Sequence, residues 1–193
     1  MAPERGEIEG RPLRGVFEAG DAWLDTGDLV RRDADGDFWL VDHLGDLISS
    51  AAGGIPTIPI EDTLCAELDF IDLCAVYGVR EASWDHDRIV AAITVRPDRF
   101  FDGAAFARAV RTFLPAESRP TWVRVLDELP RTAGYRIRKG PLKALGVEPG
   151  RGRLYRLDEE RGTYCDRPPE SRRTPGNVAG QIAISTPSPE TSS

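Results

Sequence analysis

The sequence predicts a small α+β domain: a three-stranded core sheet, flanking helices and a β-hairpin ahead of them. Three observations predict it. Short β-rich runs alternate with segments of helical spacing over about one hundred residues. A hairpin-turn signal precedes them. The chain has 193 residues, 40% of them hydrophobic and 30% charged, which suits one globular domain with appendages.

The elements follow in order. Residues 1–20 are rich in Gly, Glu and Arg and carry little pattern; from Trp23 to about Val147 the pattern is dense. Asp35-Gly36 lies between Leu29-Val30 and the apolar run Phe38–Val41, which is the signature of a hairpin turn. Ile60, Leu64 and Leu68 recur four apart, with Pro59 and Glu61 near the start, so 60–68 reads as a short helix. Ile71–Val79 and Arg88–Val95 are strands separated by the polar stretch Arg80–Asp87. Phe101–Phe113 is a second helix, with Asp102 placed to cap it and Pro115 to stop it. Thr121–Leu126 alternates as a strand, and Gly140–Leu145 is a last short helical piece. Beyond Asp166 there is no aromatic residue, and Pro, Ser, Thr, Arg and Gly dominate. Such a composition buries too little apolar surface to offset its ordering entropy, so 167–193 is expected to be disordered.

Composition narrows the function. The net charge is −7, with basic residues scattered rather than gathered into a stripe, which argues against nucleic acid as the partner. No apolar run approaches the ~20 residues of a transmembrane helix, although peripheral membrane contact is left open. The acidic start MAPERGEIEG does not read as a signal peptide. Cys65, Cys74 and Cys165 have no metal-ligand spacing, and the first two sit in apolar surroundings, as small core residues do. His43 and His86 have no ligand-spaced partner, so no metal site is expected. The expectation is a reduced, cytoplasmic location.

Three stretches could carry chemistry. Asp28 follows Thr26-Gly27, and a carboxylate fixed there could accept two hydrogen bonds from a vicinal diol; a local turn cap is the plainer reading. Ser49-Ser50-Ala51-Ala52-Gly53-Gly54 would let a backbone approach a ligand closely, or would form a tight turn between strand and helix. In Leu129–Gly146, Arg131, Arg136, Arg138, Lys139 and Lys143 surround a Gly-containing turn, either a mobile cation-tipped loop or a solvated basic surface.

The order of these stretches is more telling than any one of them. "FEAGDAWLDTGDLVRRDADGDFWLVDHLGDLI", "ELPRTAGYRIRKGPLKALGV" and "GRLYRLDEERGTY" match in register. With them the chain, from about Val16 to Tyr164, resembles the C-terminal part of the adenylate-forming acyl-CoA synthetases, in their fatty-acid-transport-protein or very-long-chain branch. The resemblance implies the small C-terminal lid domain of those enzymes. There, a large domain binds ATP, Mg²⁺ and the fatty acid and forms an acyl-adenylate, after which the small domain swings to complete the thioester with CoA. On that basis residues 1–42 would be the end of the large domain and 43–147 the lid, with 148–166 a trailing segment and 167–193 a tail. Asp28 would hold the ATP ribose, with Gly45 and Asp46 at the hinge pivot.

Three positions depart from the family pattern. His43 stands where an arginine is usual, and Ala51-Ala52-Gly53-Gly54 where a Lys-Gly-Glu-Asn-like stretch lines the pantetheine tunnel. Arg136 stands where a lysine contacts substrate carboxylate and α-phosphate. Arginine keeps the charge but is a broad planar fork, so this exchange is not conservative. The implied function is therefore a C-terminal portion of a fatty-acyl-CoA synthetase that is inactive alone, with ATP and CoA as family substrates that this chain does not hold tightly by itself. Two alternatives stand beside it. One is the lid subunit of a split ligase whose adenylation domain is a separate chain. The other is a non-catalytic module that docks on another acyl-CoA synthetase or a carrier protein.

Overall fold

The computed structural model describes residues 12–51, 53–81 and 84–166. A five-stranded sheet forms its centre. Its strands are β7 (Ile71–Val79), β8 (Arg88–Val95), β9 (Trp122–Val125), β10 (Arg153–Asp158) and β11 (Thr163–Asp166), hydrogen-bonded in that spatial order. The β7–β8, β9–β10 and β10–β11 pairs are antiparallel; β8 and β9 are parallel, as a strand pair joined through a helix can be. The three strands read from sequence are thus β7–β9, and the trailing segment adds two more. Local propensity alone could not announce this. β10 needs β9 as its template, and the pairing of Tyr155 with Val123 closes over a long stretch of chain.

Period-two alternation divides the sheet's side chains between two cores. Cys74, Val76, Ala91, Ile93 and Val123 belong to the core built with α1 (Ile58–Glu67) and α2 (Gly103–Phe113). Ala75, Tyr77, Val90, Ala92 and Trp122 belong to a second core with Leu129, Leu154 and Leu142 of the short α3 (Lys139–Lys143). Asp102 caps α2 by accepting from the Ala104 and Ala105 N–H groups, each at 2.9 Å. Gly103 must be glycine: a Cβ there would lie 2.3 Å from the Tyr164 carbonyl oxygen of β11. The Tyr164 hydroxyl donates in turn to the Pro120 carbonyl, so the trailing strand is tied into the domain at two points.

Ahead of this domain lie small two-stranded units. β1 (Leu13–Arg14) pairs with β2 (Ala22–Trp23), and β3 (Asp28–Arg32) with β4 (Phe38–His43), the hairpin expected around Asp35-Gly36. Leu44–Asp46 forms a single 3₁₀ turn. β5 (Ile48–Ser50) and β6 (Gly53–Ile55) then make a hairpin, so Ser49–Gly54 turns between two strands rather than between strand and helix. One expectation is corrected here. Cys74 is buried as predicted, but Cys65 is exposed: it sits on α1 beside the core residue Leu64, at the rim of the core-facing stripe. Residues 167–193 lie outside the described residues.

Candidate functional site

A cavity of about 300 Å³ opens between the β3–β4 hairpin, the 3₁₀ turn and the basic loop; Asp28, His43, Asp46 and Arg136 line it, with Lys139 and Glu61. Three residues singled out from sequence, Asp28, His43 and Arg136, therefore meet across more than one hundred positions of chain. Gly53 does not join them; it is in the β5–β6 hairpin, and Ala52 lies outside the described residues.

Each lining residue is placed by local chemistry. Gly27 adopts a left-handed φ of 71°, and a Cβ there would approach His43 Nε2 to 2.9 Å. The Gly27 carbonyl accepts from the Leu44 N–H at 2.7 Å, so the Thr-Gly-Asp turn is fastened to the 3₁₀ turn. His43 Nδ1 accepts from the Gly45 N–H at 3.2 Å, which makes the imidazole the cap of that turn. It faces the cavity from a fixed position. Arg136 belongs to a tight turn closed by the Arg131–Ile137 bridge and by the Thr132 N–H bond to its own carbonyl at 2.8 Å. The left-handed residue of this turn is Tyr135, at φ 64°, and its ring is exposed at the tip.

Behind the cavity lies a polar cluster that the sequence reading missed. Asp42, 1% exposed, accepts from the Thr57 N–H, from the Thr57 hydroxyl at 2.8 Å and from the His43 N–H at 2.8 Å. Lys139 Nζ donates to Thr57 Oγ1 and pairs with Glu61 at 2.8 Å. Glu61 Oε1 also accepts from the Val76 N–H of β7 at 2.7 Å. One turn along α3, Lys143 Nζ donates to the Gly45 carbonyl at 3.1 Å and lies 3.6 Å from Asp46. Two lysines four residues apart thus tie α3 to the 3₁₀ turn itself and to the start of α1. Burial opposes the charged form of Asp42, yet the two Thr57 bonds, the His43 N–H and the Lys139 charge together hold its carboxyl below the usual range. A signal for this cluster existed. Asp42 follows an apolar run on a strand, where an inward carboxylate demands partners.

The arrangement presents an open carboxylate, a capped imidazole and a guanidinium around a cavity at the small end of ligand sites. It can contribute hydrogen bonds to a diol and a cation to an anionic group. About 300 Å³ is enough for part of a nucleotide, and a triphosphate needs further walls. Among the described residues no group of three or more His, Cys, Asp or Glu side chains is placed to hold a metal, and no helix is long and apolar enough to cross a membrane.

Fold and comparisons define the class: the chain belongs to the adenylate-forming, AMP-binding superfamily of acyl-CoA ligases, and it matches their C-terminal part. Within it, the relatives are of the fatty-acid-transport-protein and fatty-acid–CoA ligase kind. Over 168 residues the chain is 30% identical to the mouse (Mus musculus) long-chain fatty acid transport protein 5, covering 86% of this chain and 24% of that one. Over 135 residues it is 34% identical to the medium/long-chain-fatty-acid–CoA ligase FadD6 of Mycobacterium tuberculosis, covering 70% and 22%. Among solved structures, the anthranilate CoA ligase AuaEII in complex with anthranoyl-AMP superposes with a TM-score of 0.59 at 26% identity, over 65% of this chain and 25% of that one. No protein-family model matches the chain. The chain spans about a quarter of the length of these relatives.

Proposed function

We propose that this chain is the lid portion of a fatty-acyl-CoA synthetase, with residues 1–42 as the end of the large domain and 43–147 as the lid, and that the 193 residues alone do not form acyl-CoA. The observation that supports this most is the convergence of Asp28, His43 and Arg136 on one cavity. In this reading the Asp28 carboxylate accepts from both hydroxyls of the ATP ribose. Arg136 carries positive charge to the substrate carboxylate and α-phosphate. The cluster of Asp42, Thr57, Lys139 and Glu61 holds the lid against the hinge. In-line positioning of a triphosphate with its Mg²⁺, and of the carboxylate, needs charges and walls beyond these residues, and positioning of that kind supplies most of the rate. CoA takes up the acyl group in the second half of the same reaction.

The test uses the chain alone and mixed with a large adenylation domain from a fatty-acyl-CoA synthetase. AMP release dependent on fatty acid and CoA is expected only from the mixture. Turnover by the chain alone overturns the reading, and binding to the large domain without turnover favours a docking module instead. Arg136→Lys carries the finer point. A guanidinium misplaced by about 1 Å can slow a step on the order of 100-fold, so the lysine should raise adenylation towards that factor. The thioester step, started from acyl-adenylate, should stay nearly unchanged. An unchanged adenylation rate would place Arg136 outside the reaction.

A further inference from the structure

Away from the cavity, two thiols are brought together. Glu61 and Cys65 are one turn apart on α1, about 6 Å along the helix axis. Val76 and Cys74 are two residues apart on β7 and share the core-facing side of the sheet, about 6.6 Å along the strand. α1 turns directly into β7, so the two elements run past each other in opposite directions. The Glu61 bond to the Val76 N–H, at 2.7 Å, fixes their register. Stepping one turn along α1 and two residues back along β7 sets Cys65 over Cys74. The side chains are neighbours: each thiol is the largest single influence on the ionisation of the other.

The pair is asymmetric in the way thiol exchange requires. Cys65 is exposed and Cys74 buried. The neighbouring Cys74 thiol favours the thiolate of Cys65, against burial and the nearby Glu61 and Asp62 carboxylates, and Cys65 is held below the usual thiol range. The proximity of Cys65, together with burial, pushes Cys74 well above it. Cys165 has no such neighbour within the pair and lies on β11, at the far edge of the sheet.

We propose that Cys65 and Cys74 form a reversible intramolecular disulfide by exchange with low-molecular-weight disulfides. The Cys65 thiolate attacks one sulfur of the incoming disulfide and expels the other half as a thiolate, which takes up a proton. Cys74 then loses its proton and attacks the Cys65 sulfur of the mixed disulfide, releasing the second half as a thiol. Two protein thiols are oxidised to one disulfide, and one small disulfide is reduced to two thiols. The bridge ties the last turn of α1 to the first half of β7. Closing a loop of about ten residues should raise the melting temperature by roughly 5–10 °C where the bond forms without distortion.

The test is titration of the whole chain with oxidised glutathione in a glutathione redox buffer, read by intact mass, peptide mapping and thermal melting. The expected product is about 2 Da lighter, with Cys65 linked to Cys74 and Cys165 free, and dithiothreitol should reverse it. The melting rise should vanish in Cys65→Ser, an exposed position whose substitution leaves the core intact. A stable glutathione adduct at Cys65 that never resolves, or bridging that involves Cys165, overturns the proposal. So does a pair that remains reduced at a glutathione potential that oxidises free dithiothreitol.

Discussion

The central sheet and the β3–β4 hairpin are built from similar residues and treat them in opposite ways. In β7 and β8, Ala75, Val76, Tyr77, Val90 and Ile93 are all fully buried. In the hairpin, Val30, Phe38, Trp39 and Leu40 are exposed, the last three at 68%, 55% and 60%. Both regions are apolar-rich antiparallel strand pairs, so strand propensity does not separate them. What differs is a second layer. The sheet has α1 and α2 on one face and α3 with the 126–147 segment on the other, while among the described residues these apolar side chains of the hairpin stay exposed on both of its faces. The lesson is that an apolar strand pair states a need for burial without naming what meets it.

The largest effect should separate the two regions outright. Phe106 is fully buried between Phe101 and Tyr164, with ring centroids 5.8 and 5.0 Å away. Phe106→Ala should destabilise the domain by about 3–5 kcal/mol, whereas Phe38→Ala on the hairpin should change it by less than about 0.5 kcal/mol. Urea denaturation of both variants checks this. Equal losses would mean that the hairpin has a covering layer after all.

Lys139→Met comes next. It removes the cation facing Glu61 and Thr57 in a buried cluster, and breaking one side of such a pair destabilises by roughly 3 kcal/mol. Replacing the exposed Arg161, whose partner Asp158 is 3.6 Å away, should change stability by less than about 0.5 kcal/mol. The pH dependence sharpens the same point. The carboxyl of Asp42 is held lower in the folded chain than when unfolded. Its contribution is therefore fully present above the unfolded value of about 4 and is lost as pH falls through the folded value. Acid titration of stability below pH ~4 should accordingly be steeper for the natural chain than for Asp42→Asn. Identical slopes would show that the Thr57 bonds do not hold Asp42 ionised.

This cluster also marks where the sequence stopped being legible. The ends of β7 and β8 could be read to the residue, because their apolar runs are dense and bounded by polar turns. The Asp102 cap was readable because it acts within three residues of its own position. Asp28, His43 and Arg136 were found through motif order, and the cavity that joins them is formed by chain folding back across the 3₁₀ turn. Lys139 looked like one cation in a solvated basic run. Its burial depends on Thr57 and Glu61, about eighty residues earlier, and no local pattern carries that information. Cys65 failed for the opposite reason: its apolar neighbours are real, but a helix of 3.6 residues per turn sets it at the rim of the buried stripe, beside Cys74 and still open to solvent.

The smallest effect on stability should be the most informative about association. Trp39 is more than half exposed on β4, and its indole N–H is held by Asp33 at 2.6 Å, so the ring is fixed rather than free to fold away. Together with Phe38 and Leu40 on the opposite face of the same strand, it leaves apolar surface that a single domain does not ordinarily expose to water. If this hairpin is the end of the large domain, that surface is where the rest of the large domain packs. Trp39→Ser should then leave the melting temperature of the isolated chain within about 2 °C of the original. It should also reduce concentration-dependent self-association and weaken binding to a large adenylation domain by about tenfold or more, the usual consequence of removing a rigid aromatic anchor. Sedimentation of the chain alone and titration calorimetry with the large domain separate the two outcomes. Unchanged binding would move the contact to another face and leave the hairpin's exposure without a partner. Weakened binding with unchanged melting would show that these side chains are kept for a surface outside this chain.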